Sequence, residues 1–285
     1  MLVDIHTHIH EFPSEEIDGV LERANAASVG AIFIAGTSIA SSAKCITLSN
    51  THECLFAGVG IHPMDVEAFL DEKTLQSMKE MVEANPKVVA ISEIGLDFSQ
   101  NAPPLPIQYQ TFRETIRLAR EVKLPIIFHS RELAGYPETH NEVLKILNQE
   151  RGWEVGGAMH YFQGDETTAK KCLDSGFLIS LGKPLLRQPR LQELVKTLPQ
   201  EGIVLETDSY PQPFKQNREN WTEPGHLNQI AEKLSELTQT EIGAIHARTS
   251  DNILNVYRRL GKPKITEYLN RRLTTRYPSI SDLNG

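Results

Sequence analysis

The chain has 285 residues, of which 40% are hydrophobic and 23% are charged, and its formal net charge is −8. This length and composition fit one large α/β core, and no apolar run approaches the ~18 residues that a membrane span needs. The negative charge argues against a protein that coats nucleic acid, although it does not exclude a nuclease whose carboxylates hold metal ions.

A strand-then-helix rhythm runs along the chain. Eight short apolar runs are predicted strands, at residues 2–5, 31–35, 55–59, 88–92, 125–128, 157–160, 177–180 and 203–206. Such runs are typical of parallel strands covered by helices. Helical periodicity predicts helices at residues 15–27, 73–84, 109–121, 141–149, 223–236 and 241–259. The pattern favours a (β/α)8 TIM barrel, an α/β fold, with an open doubly wound sheet as the alternative.

The predicted domain organisation is simple. We expect one barrel domain over residues 1–262, followed by a C-terminal helix and polar tail over residues 263–285. Residues 99–106 and 209–220 are predicted loops after strand ends, where barrel loops carry function.

The three cysteines, Cys45, Cys54 and Cys172, have no CxxC spacing. This sparse, odd number indicates a reducing compartment rather than a disulfide framework, and we interpret the three as apolar fillers. The N-terminal residues lack the basic and apolar regions of a signal peptide. We therefore expect a cytoplasmic protein with no membrane association and no obligate protein partner.

The first predicted strand ends in His6-Thr7-His8. Residues two apart on a strand point to the same side, so the two imidazoles can share one metal ion. Short His-x-His pairs also arise by chance, so the metal-ligand interpretation depends on further candidate ligands at the ends of later strands. His10 has the same parity but lies past the strand.

Other candidate ligands follow later strands. Glu93 comes directly after an apolar run, and a buried carboxylate needs either a metal ion or a barrel Lys or Arg beside it. His129 follows the fifth strand and His160 the sixth. Glu206 and Asp208 follow the eighth with the same parity, and we favour Asp208 because it is nearer the carboxyl end.

The carboxyl ends of barrel strands converge on one face, so residues that are distant in sequence can meet there. Four imidazoles and two carboxylates suffice for two divalent ions if one carboxylate bridges them. The predicted metal ligands are His6, His8, Glu93, His129, His160 and Asp208.

In their order along the chain, the motifs resemble those of the TatD family of metal-dependent deoxyribonucleases, within the amidohydrolase-like barrels. The matching motifs are Asp4-Ile5-His6-Thr7-His8, Gly60-Ile61-His62-Pro63, Glu93-Ile94-Gly95-Leu96-Asp97, Gln108 with Phe112, His129-Ser130-Arg131, His160-Tyr161-Phe162-Gln163-Gly164 and Glu206-Thr207-Asp208. The chain departs from the family pattern at residues 9–11, 135–140 and 216–221 and at Gln163. We expect these departures near the substrate mouth.

The resemblance implies a TIM barrel with a two-metal site that hydrolyses DNA phosphodiester bonds, often as an exonuclease, for which the 3'-5' direction is one option. By match, His6, His8, Glu93 and Asp208 would hold one ion, and Glu93, His129 and His160 the other. It also places His62 at the site as a substrate or phosphate contact.

This ligand chemistry suits Zn, Mn or Fe, and serves Mg when carboxylates dominate. Asp208 is the predicted general base, with a role as ligand only as the alternative. Arg131 is predicted either to neutralise phosphate or to form a structural salt bridge.

Three aromatic residues, Tyr161, Phe162 and Tyr210, either stack on bases at the mouth or simply pack. The predicted substrate is single-stranded or nicked DNA. Two alternatives remain: hydrolysis of an ester, lactone or amide in a small molecule, and a non-catalytic binding protein that kept the barrel. The full ligand set argues against the second.

Overall fold

The computed structural model describes residues 1–132, 138–215 and 217–274. Eight parallel strands form a closed barrel in which each strand pairs with the next and the eighth pairs with the first. The strands are β1 Leu2–Thr7, β2 Val29–Ile34, β3 Leu55–Val59, β4 Val88–Asp97, β5 Ile126–Arg131, β6 Gly157–Met159, β7 Phe177–Leu181 and β8 Ile203–Leu205. The predicted TIM barrel is therefore confirmed, and the open-sheet alternative is wrong.

The helices of the described residues surround this barrel. They are α1 Ile17–Ala26, α2 Ile39–Thr51, α3 Glu72–Ala84, α4 Leu105–Val122, α5 Thr139–Gln149, α6 Glu166–Asp174, α7 Pro189–Val195, α8 Leu227–Thr238, α9 Ile242–Arg259 and α10 Pro263–Thr274. Local chemistry sets several of the starts. Ser38, Asp71 and Asp165 each accept a hydrogen bond from the backbone N–H three residues on, which satisfies a donor that the first helical turn leaves free.

The predicted strands differ from the observed ones mainly at their carboxyl ends. β4 continues past Glu93 because its ladder with β5 resumes, pairing Gly95 with His129 and Asp97 with Arg131. β8 instead ends at Leu205, so the residues after it are freed from strand geometry. The predicted loop at residues 99–106 is two residues too long, since α4 begins at Leu105.

Apolar side chains form two layers. One lies between the strands and the helices. The other fills the barrel and includes Val3, Phe33 and Phe56, together with Tyr257 of α9 and Leu269 of α10. The Tyr257 hydroxyl donates to the Val89 carbonyl oxygen, near the start of β4, at 3.1 Å. The terminal helices thus close the amino end of the barrel, which leaves the carboxyl end for the site. The predicted boundary between the barrel domain, residues 1–262, and the C-terminal helix and tail, residues 263–285, stays a prediction.

The cysteines are free thiols, with Cys45 and Cys172 buried and Cys54 half-buried. Over the described ranges, every helix is too short or too polar to cross a bilayer.

Candidate metal centre

The carboxyl ends of the strands bring the predicted ligands together. The Nε2 atoms of His6 and His8 lie 3.3 Å apart, and His8 Nε2 lies 3.5 Å from Asp208 Oδ1. The rings of His6 and His160 stack with their centroids 3.7 Å apart. Potential ligand atoms lie within 4.8 Å of one another in three groups, which are His6, His8 and Glu93; His6, His160 and Asp208; and His62, Glu93 and His129.

Glu93 lies at the centre of this cluster and is only 3% exposed. Its Oε2 atom is 3.3 Å from His6 Nε2 and 3.5 Å from His8 Nε2. Its Oε1 atom is 3.1 Å from His129 Nδ1 and 3.6 Å from His160 Nε2. The two oxygens of one carboxylate therefore face two different pairs of imidazoles.

The surroundings of Glu93 exclude the salt bridge to a barrel cation that the sequence left open. Every ion-pair partner of Glu93 in the described part of the chain is an imidazole. Burial alone would raise the pKa of Glu93, but the imidazoles of His62, His6 and His160 outweigh it and hold this pKa well below its usual range. Glu93 is thus an ionised, buried carboxylate that needs cationic partners.

Two further carboxylates orient the imidazoles. Asp97 Oδ2 lies 3.0 Å from His129 Nε2, and Glu206 Oε1 lies 2.9 Å from His160 Nδ1. In each ring the other nitrogen faces Glu93. Burial would lower the pKa of His160, but Glu206 and Glu93 raise it to about 10. A carboxylate behind an imidazole fixes its tautomer and increases its basicity, as in metal sites.

Asp97 is itself held in place by the helix that follows. Gln108 of α4 accepts from the Asp97 N–H at 2.9 Å and donates to the Asp97 carbonyl oxygen at 3.0 Å. The Ser99 N–H donates to Asp97 Oδ1 at 2.8 Å. These bonds give Gln108, noted in the sequence as part of a motif, a structural role beneath the site.

Replacing Asp97 with asparagine is expected to weaken metal binding by roughly 10- to 100-fold, because His129 loses the carboxylate that orients it. Metal titration of the purified variant checks this. Asp18→Asn is the matched control, since it removes an 87% exposed carboxylate that lies 3.0 Å from His52 on the surface. Equal metal affinity in Asp97→Asn and Asp18→Asn would contradict the positioning role.

The segment after β8 is shaped by a buried carboxylate on β1. Asp4 accepts hydrogen bonds from the Thr207 N–H at 3.0 Å and from the Thr207 hydroxyl at 2.5 Å. The next N–H, of Asp208, donates to the His6 carbonyl oxygen at 3.0 Å. Asp208 has a φ of 49°, a left-handed conformation that aspartate tolerates better than most residues. This backbone places the Asp208 carboxylate beside His8.

His62 also faces the cluster. Its Nδ1 atom accepts the Met64 N–H at 3.1 Å, and its Nε2 atom lies 3.5 Å from Glu93 Oε1. An acceptor Nδ1 places the proton of the neutral ring on Nε2, so His62 offers an N–H to the site rather than a lone pair. Gly60 permits this approach, because a Cβ there would lie 2.6 Å from the Glu93 nitrogen.

The cluster opens into a cleft of about 430 Å³. Arg131 lines this cleft, and no described carboxylate lies within salt-bridge distance of its guanidinium, so the structural salt bridge is absent there. Tyr161 and Tyr210 also line the cleft, whereas Phe162 is 1% exposed and packs in the core. Of the three candidate stacking residues, Phe162 is therefore a packing residue.

The departures from the family pattern are only partly described. Residues Ile9–Glu11 form a 3-10 turn, in which His10 Nε2 contacts Ser41 Oγ at 2.9 Å rather than facing the cluster. Gln163 lines the cleft. Residues 133–137 and Gln216 lie outside the described residues.

Comparison with known proteins identifies the family. A family model described as TatD related DNase matches residues 3–258. The chain belongs to this family. It is 33% identical over 264 residues to an uncharacterized metal-dependent hydrolase, YabD, of Bacillus subtilis, covering 90% of this chain and 99% of that protein.

Two other similarities support the same family. The chain is 27% identical over 249 residues to the 3'-5' ssDNA/RNA exonuclease TatD of Citrobacter koseri, covering 84% of this chain and 92% of that protein. The crystal structure of YjjV, a TatD homologue of Escherichia coli, superposes with a TM-score of 0.79 at 27% identity, covering 91% and 97% of the two chains. The predicted family is confirmed, and the protein is a metal-dependent hydrolase.

Six residues of the cleft were not predicted from the sequence, and two of them, Gln212 and Thr222, are polar and uncharged. The other four are Lys183, Arg187, Phe214 and Lys215. They follow β7 and β8 in irregular segments, where no periodicity or motif spacing marks them. The parallel pairing of β7 with β8 brings these two segments to the same side of the mouth.

Proposed function

We propose that this protein hydrolyses DNA phosphodiester bonds with two divalent cations, and that Glu93 would help to hold both of them. The observation that carries this proposal is the division of Glu93, whose Oε2 faces His6 and His8 while its Oε1 faces His129 and His160. We assign His6, His8, Glu93 and Asp208 to one cation, and Glu93, His129 and His160 to the other.

The donor chemistry fits such cations. Imidazole and carboxylate ligands together suit Zn or Mn and also serve Mg, and we propose one of these three metals. Glu93 is buried among imidazoles, and cations would satisfy both its oxygens and the ring nitrogens that face it. When bound, two cations polarise a phosphoryl oxygen and lower the pKa of water.

Asp208 is our candidate general base. Its side chain is 20% exposed, against 4% for Glu93, so it lies on the solvent side of the cluster. Burial would raise the pKa of Asp208, but His8 and His160 lower it to about 2, which keeps the carboxylate ionised. An Asp208 oxygen would accept the proton of the attacking water.

His62 and Arg131 are the proposed substrate contacts. The Nε2–H of His62 would donate to a phosphate oxygen, which accepts hydrogen bonds well because it is charged. Arg131 at the mouth would neutralise phosphate charge. The role of Arg131 favours an anionic substrate, which a phosphodiester supplies and a neutral lactone or amide does not.

We further propose that the DNA is single-stranded or nicked and is digested from the 3' end. Support comes from the name of the Citrobacter koseri relative, a 3'-5' ssDNA/RNA exonuclease. The position of the cluster supports the preference for single strands, since a centre at the bottom of a barrel mouth reaches a free strand more easily than a paired one.

The test is a nuclease assay on purified protein, with its metal content measured by elemental analysis. The protein loaded with Mg, Mn or Zn should convert single strands labelled at the 5' end into a ladder of shortened products. A chelator should abolish the ladder, and added metal should restore it. If every DNA end stays intact with all three metals while a panel of esters and lactones is hydrolysed, the DNA proposal fails.

A further inference from the structure

Three cations line one side of the cleft, and we call them the cationic rim: Lys183, Arg187 and Lys215. Lys183 and Arg187 follow β7, and Lys215 follows β8. Lys183 Nζ donates to Thr222 Oγ1 at 2.9 Å, and Lys215 Nζ donates to the Asn220 carbonyl oxygen at 2.6 Å. None of the three forms a salt bridge to a carboxylate of the described residues, so their charges are available to a ligand.

The rim is electrostatically unfavourable by itself. Burial lowers the pKa of Lys183, and the charges of Lys215 and Arg187 lower it further, so the three cations lie close enough to repel one another. Among the described residues that line the cleft, Asp208 is the single carboxylate. A chain with a net charge of −8 thus gathers uncompensated positive charge beside its proposed catalytic centre. An anionic ligand would relieve this repulsion.

Aromatic rings accompany the cations. Phe214 is 73% exposed and Tyr210 is 38% exposed, and both line the same cleft. Leaving a phenylalanine this exposed forgoes the stability that its burial would give. Cations that follow a phosphate backbone, beside rings on which bases stack, are the combination that binds single-stranded nucleic acid.

We propose that the cationic rim and Phe214 bind the strand next to the scissile phosphate, with the cations contacting neighbouring phosphates and Phe214 stacking on a base. The inference rests on the proposed function and deepens it: the substrate is a polynucleotide, recognised by more than the reacting phosphate. A small diester that has no neighbouring phosphate or base would gain nothing from this subsite.

The experiment compares two substrates of the metal-loaded protein across a salt series. They are an oligothymidylate and bis(p-nitrophenyl) phosphate, which carries one diester and no neighbouring phosphate. In Arg187→Ala and Lys215→Ala we expect kcat/KM for the oligothymidylate to fall roughly tenfold relative to the small diester. The slope of log kcat/KM against log salt should become shallower by about 0.7 for each lost phosphate contact.

Phe214→Ala and Lys264→Ala complete the set. Phe214→Ala should lower the same ratio roughly tenfold with no change of salt slope, because stacking removes no counterion. Lys264→Ala is the matched control, since this exposed lysine lies on α10 at the closed end of the barrel. A ratio and slope equal to wild type in Arg187→Ala, Lys215→Ala and Phe214→Ala would overturn the subsite.

Failure of the proposed function has a different signature. If the wild type cleaves neither substrate, phosphodiester hydrolysis is wrong, and the subsite is then tested by fluorescence anisotropy of labelled oligothymidylate on the metal-loaded protein. Weaker binding in the rim variants supports the subsite, and unchanged binding overturns it.

Discussion

Glu93→Gln is expected to slow phosphodiester hydrolysis on the order of a thousandfold or more and to deplete the bound metal. Glutamine keeps the size of the side chain but loses the charge, and its amide nitrogen cannot serve as a metal ligand. Because the two oxygens of Glu93 face separate imidazole pairs, the change affects both proposed cations at once. Metal-ion stabilisation of a transition state is worth several kcal/mol, which corresponds to this loss of rate.

Elemental analysis and single-turnover kinetics on the same preparation measure the two effects of Glu93→Gln together. Glu83→Gln is the control, because this α3 glutamate is 60% exposed and is not one of the proposed metal ligands. Its ion pair with Lys79 is long, at 3.9 Å, and such a surface pair contributes little to stability. A Glu93→Gln protein that retains both metals and wild-type rates would contradict the proposal that Glu93 holds both cations.

Asp208→Asn is expected to lower kcat by about 10²- to 10⁴-fold, the usual contribution of a general base. His6, His8 and Glu93 remain to hold the first cation, so most of the metal should be retained. The amide cannot accept the proton of the attacking water, and added metal should therefore not rescue the rate. Metal content and kcat are measured over a range of metal concentrations.

The alternative role for Asp208 gives the opposite result. If the residue acts only as a ligand, the loss of rate in Asp208→Asn follows the loss of metal, and high metal concentrations restore it. The pKa of Asp208, lowered to about 2 by His8 and His160, keeps the carboxylate ionised near neutrality in either role, so the rescue by added metal is the measurement that separates the two roles.

The charge distribution explains why the overall composition is a poor guide to the substrate. The net charge of −8 includes carboxylates that face imidazoles at the bottom of the barrel mouth rather than solvent. The cations of the rim and Arg131 line the cleft above them. A polyanion approaching the mouth therefore meets positive charge first, although the chain as a whole is acidic.

The sequence by itself determined the barrel and its proposed ligands. Apolar runs bounded by helical periodicity specify parallel strands locally, and the convergence of strand ends in a closed barrel then places His6, His8 and Glu93 together without further information. The predicted strand ends were less accurate, because the β4–β5 ladder resumes beyond Glu93 through pairing with a distant strand.

Only the tertiary structure decided what each polar group faces. Glu206 and Asp208 share parity in a strand, yet β8 ends before them and Asp208 turns left-handed at a φ of 49°. Glu206 then lies behind His160 while Asp208 lies beside His8. The division of the Glu93 oxygens and the cationic rim likewise depend on contacts between segments far apart in the chain. A local sequence pattern does not specify such contacts, because they form only when separate strands pair in the barrel.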